Sequence, residues 1–171
     1  MGYSKMNTIK KYTTIKKFIP TEEKINKLAN KLLYEPLYLD DAYRSPDKVK
    51  EMLTFYMYGN PGLLFEFKDF SGILWFVNII PEYRADVIFK LWNKKLYGPT
   101  FARELKSMFS MFMKMYRIKR LSLQTPSDRG AALAKRMGFQ IEGRQKYGFR
   151  WNGKLMTNIM LRKVVDKKRR K

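Results

Sequence analysis

The stretch "QKYGFRWNGK", residues 145–154, sets Lys146, Arg150 and Lys154 among Tyr147, Phe149 and Trp151. Cations at this spacing suit phosphate oxygens, and the rings between them offer faces on which bases stack. A second cationic run, Lys167, Lys168, Arg169 and Arg170, closes the sequence. Two residue types are missing altogether. With no cysteine and no histidine in 171 residues, disulfides, thiolate metal sites, cysteine nucleophiles and every serine–histidine triad are excluded. Proton transfer is left to carboxylates, tyrosine, lysine, the backbone or water, and no metal is expected.

Charge extends the first theme. The chain has 36 basic and 15 acidic residues, a net charge of +21, and residues 100–171 alone hold 20 basic and 4 acidic ones. Such an imbalance points to a polyanionic partner, nucleic acid or nucleoprotein, while a solvated surface with a basic tail is the plainer alternative. Apolar residues make up 45% of the chain, enough for a globular core, and the length suits one domain over residues 1–163 with a basic tail at 164–171. The longest apolar run, "GILWFVNII", is broken by Asn78 and falls well short of the ~18 residues of a membrane span. The start "MGYSKMNTIKKY" lacks the apolar core of a signal peptide. Residence in the cytoplasm, a viral particle or an infected cell is therefore expected, without secretion or membrane association. A composition rich in Lys, Ile, Tyr and Met suits a low-GC virus or phage.

Elements that could position these residues follow from periodicity. "YTTIKKFI" (12–19) alternates like a strand, and "TEEKINKLANKLL" puts Ile25, Leu28, Leu32 and Leu33 on one helical face. "SPDKVKEMLTFYMYG" reads as a helix capped by Ser45, with Pro46 at its first position and an end at Gly59. Two strands flank a turn at Asp69–Gly72, and "YRADVIFKLWN" is a third. "PTFARELKSMFSMFMKMYR" is an amphipathic helix, "KRLSLQT" a strand, and "SDRGAALAKRMG" a short helix from Ser127 to Gly138. Phe139 should then enter the core as the next strand begins. Asn152–Gly153 is the turn of a closing hairpin. Alternation in that hairpin places Tyr147, Phe149 and Trp151 together as an aromatic core face, with Lys146, Gly148 and Arg150 on the solvated side. The order predicts an α+β fold with a strand–helix–strand crossover at its centre.

The ending "SDRGAALAKRMGFQIEGRQKYGFRWNGKLMTNIMLRK", with its short helix, Gly-Phe, Glu-Gly and Asn-Gly-Lys hairpin, resembles the GNAT superfamily of acyl-CoA-dependent N-acyltransferases. The likeness covers roughly residues 12 to 163 and is nearest to the ribosomal-protein N-acetyltransferase branch. It implies a mixed, mostly antiparallel twisted sheet flanked by helices, and acetyl-CoA as cofactor. In the family the CoA pyrophosphate sits on a glycine-rich loop before a helix, where backbone N–H groups converge on the anion. The corresponding stretch here is "KLYGPTFARE". Lys95 takes the family's basic or amide position, Gly98 its first glycine and Thr100 its second small residue, with Tyr97, Pro99 and Phe101 completing the loop. Pro99 has no N–H to donate, a departure from the pattern. Read from its residues alone, "YGPT" is a turn into a helix with proline at the first position. Ser127 stands where the family often has a cofactor-contacting Asn, and Ala134 where it often has a Tyr that protonates the departing thiolate.

Acetyl transfer to an amine needs a base for the amine and a proton for the thiolate. The resemblance points to Asp86 and Glu82, at the start of the fourth strand, as bases and to Tyr147 as the acid, with Glu66 and Glu142 as substitutes. Two functions are thus expected in turn: an acetyl-CoA-dependent N-acetyltransferase in a nucleic-acid-rich setting, or a GNAT fold without catalysis that binds nucleic acid or scaffolds an assembly through Arg150, Lys154 and the tail.

Overall fold

Helix starts and stops follow the local chemistry. In a computed structural model describing residues 12–34, 40–55, 57 and 62–165, the Ser45 hydroxyl accepts the Lys48 N–H and Pro46 opens the helix behind it. Ser127 caps the last helix through the Gly130 N–H, and Gly138 ends it with φ +88, a conformation that disfavours any residue with a Cβ. The elements are β1 (Ile15–Lys17), α1 (Glu22–Tyr34), α2 (Pro46–Thr54), β2 (Leu63–Phe67), β3 (Gly72–Ile80), β4 (Arg84–Leu91), α3 (Pro99–Met115), β5 (Arg120–Thr125), α4 (Asp128–Arg136), β6 (Gln140–Trp151) and β7 (Lys154–Val164). Short 3-10 turns lie at Asp41–Tyr43, Lys68–Phe70 and Lys94–Leu96. Among the described residues no helix is long and apolar enough to cross a membrane.

The strands form one sheet in the order β1-β2-β3-β4-β5-β7-β6. Every neighbouring pair is antiparallel except β4–β5, which α3 joins as a parallel crossover. Helices α3 and α4 cover one face, where Phe67, Phe76, Phe101, Phe109 and Phe112 pack together. Helices α1 and α2 cover the other, over Ile73, Trp75 and Val77 of β3. Phe139 is 3% exposed and meets the Phe109 ring edge-on at 5.4 Å, so the Gly-Phe pair does what its position predicts.

Several expectations are corrected. The first strand spans three residues instead of 12–19, because Thr13 and Thr14 are drawn off to the Glu104 carboxylate of α3. The expected helix end at Gly59 lies outside the described residues. Strand β7 runs to Val164, and the Val165 N–H still bonds to the Lys119 carbonyl, so the folded part passes the expected boundary at 163. The expected aromatic core face of β6 loses Tyr147, while Phe149 and Trp151 are half-buried. The β6–β7 register shifts between Gln145 and Phe149, Tyr147 takes φ +59, and its ring is 72% exposed. A bulge breaks the alternation on which that face depended.

Candidate active site

Strands β4 and β5 pair at only three positions: Arg84 with Arg120, Ala85 with Leu121, and Asp86 with Ser122. Beyond Asp86 the two strands diverge. Because they are parallel, the helices that follow them, α3 and α4, both begin at the open end of the split. Cavities lie on either side of it. The larger, about 360 Å³, opens on the α1/α2 face and is lined in part by Asn78, Asp86, Ser122 and Gln124. The smaller, about 50 Å³, lies against α3 and α4, with Thr125, Gly130 and Ala134 in its wall. Phe89, Lys90, Leu123 and Gln124 line both, so the two cavities flank the same stretch of β4 and β5, beyond their last paired positions.

Alternation along β4 sorts its side chains. Val87, Phe89 and Leu91 join the core beneath α3. Asp86, Ile88 and Lys90 therefore face the α1/α2 side. A bulge in β3 between Val77 and Ile80 gives Asn78 a φ of +50 and brings its amide to Asp86, to which it donates at 2.9 Å. On the far wall the Asn158 amide donates to Gln124 Oε1 at 2.8 Å, which fixes the Gln124 head. Lys90 is half-buried, and loss of solvent around its ammonium pushes its pKa down to about 8.

The sequence-derived site residues separate on this frame. Asp86 sits at the vertex of the split and lines the larger cavity. Glu82 lies in the β3–β4 turn, outside both cavities, and pairs with Arg117 at 2.9 Å. Tyr147 lines neither cavity. Glu66 is 2% exposed and held by Lys24 at 2.8 Å and Lys16 at 3.4 Å. Glu142 is bound by Arg120 and Arg162. The loop residues Lys95, Tyr97, Gly98, Pro99 and Thr100 stand together at the open end, where Gly98 is the N-cap of α3 and supplies no side-chain cap. The Phe101 ring is not part of any loop surface. It is 1% exposed and packs edge-on against Phe67 at 4.9 Å, leaving only its backbone N–H for a ligand. The Ser127 hydroxyl is engaged as the cap of α4.

Of the residues expected to meet nucleic acid, Arg150 is partly engaged. Its N–H donates to Asp40 and its Nε lies 3.9 Å from Asp41. Lys154 is exposed, and Lys167, Lys168, Arg169 and Arg170 lie outside the described residues. Lys90 escaped the sequence reading, although a signal was present. It is the single charge in "VIFKLW", four residues from Asp86 and hence on the same face of the strand.

No family model matches the sequence, and no curated protein matches it. Solved structures do. The spermidine N-acetyltransferase of Vibrio cholerae, determined with CoA and spermine, is 16% identical at a TM-score of 0.69, covering 88% of this chain and 95% of that one. An acetyltransferase of Salmonella typhimurium that modifies the N-terminal serine of ribosomal protein L7/L12 is 20% identical at a TM-score of 0.64, with 90% and 96% covered. The ribosomal-protein-S5-alanine acetyltransferase of Vibrio fischeri is 16% identical at 0.62, with 90% and 93% covered. A sheet split between its two parallel strands, with a helix N-terminus beside each, has the fold of the GNAT N-acetyltransferases.

Proposed function

We propose that the protein is an N-acetyltransferase that moves an acetyl group from acetyl-CoA to an amine. The observation carrying this reading is the β4–β5 split, flanked by a cavity on each side, in a fold whose solved neighbours include complexes with CoA. One cavity can admit a thioester and the other an amine, and the strands part between them, where the two reactive ends would be brought together.

The residues present fit the cofactor. Gly98 caps α3 without a side chain, so the Thr100 and Phe101 N–H groups are available to an anion, and Lys94 and Lys95 add charge beside them. Pro99 removes one donor from the set. The cofactor, when bound, supplies the activated acetyl group as a thioester. The chain's part is to hold it and to manage the acceptor. Asp86, kept in place by Asn78 at 2.9 Å, is suited to hold the acceptor's ammonium at the vertex of the split. Arg144, Lys146, Arg150 and Lys154 on the closing hairpin, with the basic tail, support an acceptor that is met on or beside nucleic acid.

Calorimetry with acetyl-CoA tests this reading on wild type and Gly98→Trp. A Cβ on Gly98 meets nothing within 4 Å, and its φ of −143 is ordinary extended backbone, so the variant should fold. Wild-type binding that the indole abolishes is the expected result. Binding that survives it would move the cofactor elsewhere. Absence of wild-type binding at millimolar acetyl-CoA would remove the enzyme reading and leave a GNAT-fold protein that works through its basic surface.

A further inference from the structure

We propose that Arg84, Arg120 and Arg162 form a phosphate site one rung below Asp86, so that the amine accepted at the split is carried on a phosphate-bearing molecule. This rests on the acetyltransferase reading above and names the class of its acceptor.

Register and alternation place the three side chains. Ala85 of β4 and Leu121 of β5 are buried in the core beneath α3 and α4. Arg84, Asp86, Arg120 and Ser122 therefore project from the opposite face. Asp86 is paired with Ser122 at the vertex of the split, and Arg84 with Arg120 on the next rung of that face, towards the closed end. The rungs are two residues apart, about 6.6 Å, and the strands about 4.8 Å apart. Arg162 of β7 is paired with Ser122 and stands diagonal to Arg120. The core under α1 and α2 takes its sheet residues from β2 and β3, with Ile88 at its edge, so this corner of the face is open. Arg84 is exposed, and the side chains of Arg120 and Arg162 are 39% and 44% exposed.

Like charges on one rung repel, so pairing Arg84 with Arg120 costs the fold stability unless an anion lies between them. Among the described residues one carboxylate meets these guanidinium groups. Glu142, in the β6 bulge between Ile141 and Gly143, accepts from Arg120 and lies 3.5 Å from Arg162. The Arg120 Nε also reaches the Ser122 hydroxyl, at 3.3 Å. Arg84 makes no ion pair among the described residues, and its guanidinium lies 5.8 Å from the centre of the exposed Tyr83 ring. Asp86, on the rung above, is engaged by the Asn78 amide. Three guanidinium groups against the one carboxylate leave a surplus of two positive charges.

That surplus selects the ligand. A phosphate monoester carries about −1.5 to −2 near neutrality and three strong acceptor oxygens, enough for the fork of Arg84 and a second bond from Arg120. A carboxylate brings one charge and two oxygens, and would leave a guanidinium unmatched. Asp86 has the opposite preference one rung higher, for the ammonium. The two rungs together match an amine and a phosphate joined by a short chain, with the phosphate towards the closed end and the nitrogen held at the vertex. The phosphate itself does not react. The amide bond forms, the carbon–sulfur bond breaks, and the ammonium gives one proton to the thiolate and one to water. A small phosphomonoester and a nucleic-acid strand bearing an amine both offer this chemistry, and the test separates them.

The test uses full-length wild type, Arg84→Gln and Arg162→Gln, both exposed positions whose replacement should leave the fold standing. The probes are inorganic phosphate and aminoalkyl phosphates of about two to six carbons, each set against the matching amino alcohol. Titration with inorganic phosphate should shift the Arg84 and Arg120 Nε–H resonances of wild type. No shift at millimolar phosphate would overturn the site. With acetyl-CoA, wild type should prefer the aminoalkyl phosphate over the amino alcohol by about tenfold or more in kcat/KM, chiefly through KM. Rising salt should erode that preference. It should collapse in Arg84→Gln and weaken in Arg162→Gln. Equal use of the two amines by wild type, or a preference that survives in Arg84→Gln, would overturn the proposal with the acetyltransferase reading intact. So would loss of acetyl-CoA binding in Arg84→Gln, which would assign the cluster to the phosphates of CoA. A 5′-aminohexyl oligonucleotide used better than aminohexyl phosphate would place the phosphate in nucleic acid, and the reverse would place it in a small phosphomonoester. Absence of acetyl-CoA binding in wild type would overturn the acetyltransferase reading, and the acceptor assignment with it.

Discussion

The Asp41 carboxylate accepts the backbone N–H of Gly153 at 2.9 Å, across 112 residues of sequence. It takes the Asn152 N–H as well, at 3.0 Å. The segment after α1 thereby grips the turn of the β6–β7 hairpin. Arg44 completes the grip, with its guanidinium 3.7 Å from the centre of the Trp151 ring and a hydrogen bond to Asn152 Oδ1 at 2.8 Å. The hairpin carries the exposed cations of the proposed nucleic-acid surface, so its position depends in part on this aspartate. Asp41→Ala is expected to leave the fold standing and to speed hydrogen exchange at the Asn152 and Gly153 amides by about tenfold. The Gly153 hydrogen bond, against an opposing loss of solvation and helped by Asn152 and Arg44, holds the Asp41 pKa below its ordinary value. The grip should therefore be intact above pH 3.8, the ordinary value, and weaken as pH falls through the lowered one.

Much of this frame is legible in the sequence because it is local. A glycine that must adopt φ +88, a serine three residues ahead of an amide, and Asn-Gly between two strands each declare their geometry within a few residues. What stayed hidden depends on neighbours that are distant in sequence. Thr13 and Thr14 look like strand residues until Glu104 claims their N–H groups from 91 and 90 positions away. The bulge at Tyr147 interrupts the alternation of β6 and turns that ring to solvent, and no residue type announces it. Phe101 sits in the phosphate-loop pattern, yet its helical spacing with Leu105, Met108 and Phe112 turns its ring to the core. Lys90 was visible as an odd charge, but its meaning needed the split between β4 and β5, which alternation alone does not reveal.

Glu104 gives a second prediction. Its carboxylate accepts the Thr13 N–H and hydroxyl at 2.9 and 2.8 Å and the Thr14 N–H at 2.9 Å, joining α3 to the start of β1. Partial desolvation raises its pKa, but the hydrogen bonds from Thr14 and Thr13 outweigh it and the net shift is downward from 4.5. A lowered carboxylate contributes stability that is present above its unfolded value and lost as pH falls through the folded one. Glu104→Ala should cost about 1–2 kcal/mol in urea denaturation at pH 7, near the low end for charged hydrogen bonds because the group is partly solvated. The difference from wild type should shrink below about pH 4.5.

The two carboxylates that the family resemblance offers as bases should behave differently. Glu82 pairs with Arg117 in an exposed turn, and Glu82→Gln should leave turnover within about twofold of wild type and stability within about 0.5 kcal/mol. Asp86 lines the larger cavity. Asp86→Asn removes the charge that would hold an ammonium, so KM for the amine should rise by about tenfold or more while kcat changes less. Steady-state kinetics on both variants checks this. A Glu82 variant impaired more severely than the Asp86 variant would displace the site from the split.

Nucleic-acid binding should survive loss of the tail. Ending the chain after Val165, the last described residue, removes five cations: Lys167, Lys168, Arg169, Arg170 and Lys171. Arg144, Lys146, Arg150 and Lys154 remain on the hairpin. Anisotropy with duplex DNA from about 50 to 200 mM salt should show weaker binding and a shallower dependence on salt, by about 0.9 in log–log slope for each phosphate that is no longer neutralised. Abolition of binding would assign it to the tail alone. Binding insensitive to salt would mean that the charge serves another partner.

The last prediction concerns stability at Lys90, and acetyl-CoA plays no part in it. The folded protein holds this amine at about 8, against 10.5 for an ordinary lysine. Between those values the unfolded chain binds more protons than the folded one, so raising pH through the window favours folding. Below pH 8 both states are protonated and the full desolvation penalty is present, while above 10.5 both are neutral and it vanishes. Lys90→Met removes the titrating group and keeps a flexible apolar stem of similar length among Ile73, Ile88 and Trp92. Relative to its value above pH 10.5, the stability difference at pH 7 should thus favour the variant by a margin on the order of 2–3 kcal/mol. That margin should close steadily between pH 8 and 10.5. Other lysines and tyrosines titrate in the same range, but they are common to both proteins and cancel in the difference. Paired urea denaturations at about pH 7, 8.5 and 10 measure it. A constant difference, whatever its sign, would mean that Lys90 titrates alike in both states, and a wider gap at the highest pH would reverse the linkage argued here.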